Sequence, residues 1–184
     1  MISRPLLLLL LFGLLSFASP AIAQTRDHLT PQEVDLVKEA QVLDKRTEIF
    51  IKAANRRILV LNGGTAAAAN TKQAKKEAEL WGELPTGSRA ELISDIAKIF
   101  DEAITNIDDV SARDERNPLI AKSLRRLAQA VNTIMEQLKP LRASAKGDAE
   151  IASFEQLNED AQSILEAVNK LPPEVEKKGK AKND

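Results

Sequence analysis

The chain has no cysteine among its 184 residues. That excludes disulfides, thiol catalysis, thiolate metal sites and covalent haem attachment. It also excludes a lipid anchored through cysteine. Histidine occurs once, as His28. A His-rich zinc site cannot be built within one chain on that count. Di-iron bundles need Glu-x-x-His twice, and neither copy is present. A serine triad could recruit only His28. Tyrosine is absent and aromatics make up 3% of the chain. Sites that stack sugars or single-stranded nucleic acid rely on rings, so both classes are disfavoured. The formal charge of −1 supplies no field to attract nucleic acid or an anionic membrane. No serine has lysine three residues on, and Gly63-Gly64 lacks the Gly-Lys-Ser/Thr ending of a phosphate loop. No catalytic residue, cofactor site or metal site is assigned.

What is present begins at the amino terminus. Arg4 precedes an apolar run from Leu6 to Phe17, broken only by Gly13 and Ser16, and Ala21-Ile22-Ala23 closes the segment. A positive start, a short apolar core and a small-x-small site mark a secretory signal peptide. Ser16, Ser19 and Pro20 interrupt it well short of the roughly 20 apolar residues a membrane span needs. Cleavage after Ala23 is expected, leaving a periplasmic or secreted protein with no stable membrane insertion. Losing Arg4 with the leader moves the formal charge from −1 to −2. The sequence thus predicts three regions: signal peptide 1–23, one helical domain 24–171, and a disordered charged tail 172–184.

Helical periodicity dominates the middle region, and no stretch alternates as a strand does. Residues 24–29 read as a loose lead. Thr30-Pro31-Gln32-Glu33 is a capping box with proline at the first helical position. Leu36, Ala40, Leu43, Thr47, Phe50, Ala54, Ile58 and Leu61 then recur at three- and four-residue steps. The spacing predicts one helix over 31–62, with Glu33 and Asp35 at its start and Arg56 and Arg57 near its end complementing the dipole. Further helices are predicted over 89–112, 118–143 and 149–171. Ser88 to Glu91 forms a second capping box, and Asn117-Pro118 supplies a third start signal. Pro140 is expected to kink or end its helix. Residues 65–87 read as a crossover carrying a weak helix that ends near Trp81.

The predicted fold class is all-α: four long antiparallel helices in a bundle, with that long crossover between the first and second. Phe50, Phe100 and Phe154 fall mid-stripe and are expected in the core. Asp101, Glu102, Asp108 and Asp109 are expected to pair with Lys122, Arg125 and Arg126 across a tight turn. Asp108, Asp109, Asp114 and Glu115 lack the alternation and central glycine of a calcium loop. Leu80, Trp81 and Leu84 either pin the crossover to the bundle or form a contact surface for a partner. Leu29-Thr30-Pro31-Gln32-Glu33 resembles the Leu-Thr-x-x-Gln openings of small periplasmic stress chaperones of the Spy type. The resemblance spans five residues, Glu33 stands where that pattern has Gln, and no function is carried across. The functional expectation is an exported, non-catalytic bundle mediating protein interaction or scaffolding, with an unidentified protein partner and no nucleic acid. A periplasmic holdase-like chaperone is one alternative. A small-molecule carrier or carboxylate-based enzyme is the other.

Overall fold

The computed structural model describes residues 26–64 and 72–173. The leader 1–23, the crossover residues 65–71 and the tail from 174 onward lie outside the described residues. Six helices occur among those described: α1 (Pro31–Glu39), α2 (Leu43–Leu61), α3 (Lys72–Trp81), α4 (Arg89–Arg113), α5 (Pro118–Ala143) and α6 (Asp148–Asn169). The described part is all-helical. None of these helices is long and apolar enough to cross a membrane.

Three helix starts form where side chains satisfy the free amides of the first turn. Thr30 and Ser88 each close a full capping box, with Glu33 and Glu91 reaching back to the cap amide. Asn117 caps α5 by accepting from the Leu119 amide. The α2 and α6 starts differ: their cap positions are Val42 and Gly147, and neither offers a side-chain hydrogen bond.

The stripes predicted for α4, α5 and α6 meet in one core. Ile96, Phe100 and Ile107 of α4 lie with Leu127 and Ile134 of α5 and Leu157 and Ile164 of α6, all fully buried. Phe50 and Phe154 join them. The four long helices close a ring of contacts: α2 touches α4 and α5, and α6 touches α4 and α5.

Three expectations are corrected. The helix predicted over 31–62 is two helices, because Ala40 and Val42 are extended and the chain bends at 40–42. No glycine or proline causes this; contacts far along the chain do, as described below. Pro140 does not end α5, for the helix runs on to Ala143. A proline that close to the C-terminus removes one hydrogen bond where the ladder is already ending. None of the three basic residues of α5 pairs as expected with α4, and two of them pair with α2. Lys122 bonds Asp44, Arg126 bonds Glu48, and Arg125 bonds the Pro172 carbonyl. The contact between α5 and α2 is broader than that between α5 and α4, so the long cations reach α2.

The Lys122–Asp44 bond, 2.5 Å long, makes stability depend on acid pH. The hydrogen bond from Lys122, helped by its charge and those of Lys45 and Arg126, outweighs burial and holds the Asp44 carboxyl below its ordinary value of 3.8. A depressed folded-state value means the contribution is present above the unfolded value and is lost as pH falls through the folded one. Asp44→Asn is therefore expected to flatten the loss of thermal stability below about pH 4. Melts of both proteins from neutral to acid pH check this; parallel acid limbs would show that the pair adds nothing.

Candidate functional site

Charged side chains are rarely fully buried unless they are paired. Here Glu33, Arg56, Arg57 and Asp95 are all buried and come together where the amino-terminal lead, α1, α2, the crossover and α4 converge. Glu33 is the hub. Its Oε2 accepts from the Thr30 amide at 2.9 Å as part of the capping box. Its Oε1 accepts from Arg56 Nη1 at 2.6 Å and from Arg57 Nη1 at 2.7 Å. One carboxylate thus caps α1 and binds two guanidinium groups of α2.

Each arginine carries the network onward. Arg56 Nη2 donates to the carbonyls of Gly82 and Glu83, which ties the crossover down. Arg57 donates to the carbonyls of Ala53 and His28. Its Nε has no hydrogen-bond acceptor and lies 3.7 Å from Asp95 Oδ2. Asp95, on α4, is held from the other side by Arg26, whose two terminal nitrogens bond both carboxylate oxygens at 2.9 and 2.8 Å. Burial pushes the Asp95 carboxyl up from its ordinary value, against the pull of Arg26.

The only histidine is bound as well. His28 Nε2 lies 2.8 Å from Glu102 Oε2, and Nδ1 lies 3.4 Å from Asp27. The expected loose lead is thus corrected over 26–29. Arg26, the His28 ring and carbonyl, and the buried Leu29 side chain fasten it to α2 and α4.

Trp81 is buried beneath two cations, with Lys52 Nζ 4.7 Å and Arg56 Cζ 5.5 Å from its ring centre. Such contacts favour the negative face of the indole. Burial lowers the Lys52 value from its ordinary range, and Arg56 beside it adds repulsion. Of the other two residues grouped with Trp81 in the sequence, Leu84 is half-buried and Leu80 is 56% exposed.

A separate cleft of about 390 Å³ lies between α2 and α5. Ile51 and Ala130 line it together with Lys52, Asn55, Gln129 and Thr133, and the Glu48–Arg126 pair lies alongside. Among the described residues, no group of three or more His, Asp or Glu is placed to hold a metal ion.

The sequence hinted at the buried cluster without revealing it. Asp95 falls three residues after Leu92 and four before Ile99, on the apolar face of α4. Arg57 falls four after Ala53 and beside Ile58. Charges inside an apolar stripe were the available signal. Comparison with protein-family models, with curated proteins and with solved structures gives no match.

Proposed function

We propose that the protein is exported and acts as a non-catalytic scaffold that binds another protein through the cleft between α2 and α5. The long helices are read as an up-and-down antiparallel bundle, with the short turns at 114–117 and 144–147 reversing the chain. One observation carries the functional reading. The groups best suited to chemistry are occupied with one another: His28 with Glu102, Glu33 with Arg56 and Arg57, and Asp95 with Arg26. Function then falls to the surface.

The cleft suits a polypeptide segment. Ile51 and Ala130 offer an apolar floor, while Asn55, Gln129 and Thr133 offer groups that can bond a peptide backbone. It is open to solvent, unlike the enclosed sites that bury most of a small molecule. A holdase would favour a continuous exposed apolar face. Among the described residues the large exposed apolar side chains are scattered, with Val42 in the bend before α2, Leu59 on α2, Leu80 on α3 and Ile151 on α6.

Ala130→Arg fills the cleft and tests the reading. Pull-down from the exported fraction with the wild-type protein is expected to recover a partner that the variant loses at least tenfold. Its stability should change by only ~0.5 kcal/mol, as for other surface substitutions. Full retention of that partner by the variant would remove the cleft from the proposal. Suppression of the aggregation of unrelated clients by the wild type would favour the holdase.

A further inference from the structure

We propose that residues 40–42 are a hinge with two settings, and that opening it lets residues 26–39 exchange between two copies of this chain. The inference is independent of the cleft between α2 and α5.

The hinge sequence is Ala40-Gln41-Val42, with no glycine or proline. The apolar spacing of Leu36, Ala40, Leu43, Thr47 and Phe50 passes through it at helical steps. A straight helix over 31–61 is therefore compatible with every residue present, and would be roughly 46 Å long at 1.5 Å per residue. The observed bend forgoes helical hydrogen bonds. Ala40 and Val42 are extended, Val42 caps α2 with no side-chain bond, and its side chain is 50% exposed. Side-chain support comes from Gln41 Nε2 on the Lys38 carbonyl and Arg46 Nε on the Ala40 carbonyl, and the Lys45 and Arg46 amides both bond the Val42 carbonyl.

Distant contacts hold the bend. Glu33 is bound by Arg56 and Arg57, Arg26 by Asp95, and the His28 carbonyl by Arg57. Helix α1 touches only α2 and α3. Each of these contacts joins 26–39 to the rest of the molecule, so a second copy can supply the same partners without altering one of them. Straightening the hinge then adds helical hydrogen bonds from the amides of 41–44, and gives up the two side-chain bonds and the short Lys45 amide bond to the Val42 carbonyl. This is the situation in which exchange of an identical element leads to a dimer at little cost. The occupant is a second copy because the receptor is so specific: Arg56 and Arg57 converge on a single oxygen of a fully buried glutamate that also caps its own helix.

The test is light scattering with size exclusion on the leader-free protein from micromolar to near-millimolar concentration, after mild heating and slow cooling. Val42→Asp supplies the missing cap and favours the bend. Val42→Ala removes the β-branch and favours the straight helix. The expected result is a wild-type dimer that grows with concentration and dissociates slowly. Because two hinges act per dimer, Val42→Asp should weaken its formation roughly tenfold or more, and Val42→Ala should strengthen it several-fold. Amide hydrogen exchange at 41–44 should be slow in the dimer and fast in the monomer. Monomer alone in all three proteins overturns the proposal. So does a dimer indifferent to residue 42, or one that leaves those amides unprotected.

Discussion

Arg57→Ala is expected to destabilise the protein by about 3–5 kcal/mol, the usual result of removing one member of a buried charge pair. The side chain is 1% exposed. It donates to Glu33, to two backbone carbonyls and approaches Asp95, so truncation leaves several buried acceptors short of a donor. Glu33 would retain Arg56 and the Thr30 amide, which limits the loss. Most of the penalty is the cost of leaving buried polar groups unmatched, so it does not measure the worth of the pair. Glu33→Gln keeps the shape and removes the charge. The double variant is expected to cost less than the sum of the two single ones, with a coupling of about 0.5–3 kcal/mol. Urea denaturation followed by circular dichroism measures all three. A loss below about 1 kcal/mol for Arg57→Ala would mean that water replaces the guanidinium at little cost.

Parts of this architecture were legible in the sequence and parts were not, for physical reasons that differ from element to element. Helices α4 and α5 announce themselves because a local cap and a local apolar period agree, and α6 does so by its apolar period alone. Their starts at Arg89, Pro118 and Asp148 fall within one residue of expectation. The break at 40–42 is invisible because no residue there forbids helix. It exists because Glu33 must reach Arg56 and Arg57, more than twenty positions away.

Glu33 shows the limit most clearly. Its capping role was readable, since it uses one oxygen and a neighbour three residues away. Its ionic role was not, since the other oxygen looks across the fold. Likewise the sequence places Arg56 and Arg57 where they suit the helix dipole, a surface effect worth less than about 1 kcal/mol, whereas both are buried. Sequence proximity pairs the cations of α5 with α4. Packing instead gives Lys122 and Arg126 to α2. Residues that act through local geometry were readable; those that act through tertiary contact needed the fold.

Phe100→Ala is the second large effect expected, also about 3–5 kcal/mol, from lost burial plus the cavity left behind. Phe100 is 0% exposed on α4, the helix that contacts α2, α5 and α6. With Ile96 and Ala103 buried alongside, few atoms are free to collapse into the gap. Phe100→Leu retains most of the volume and should cost much less, about 1.5 kcal/mol or under. The loss is a large part of the ~5–15 kcal/mol that holds a domain folded, and should appear as a lower urea midpoint at unchanged slope. Phe100 belongs to the body of the molecule and lies outside the exchanging segment 26–39. Its truncation should therefore weaken monomer and dimer alike and leave their ratio unchanged. Arg57→Ala loosens the docked segment itself and should speed exchange between copies. A Phe100→Ala loss below about 1 kcal/mol would mean that this face of α4 does not lie in the core.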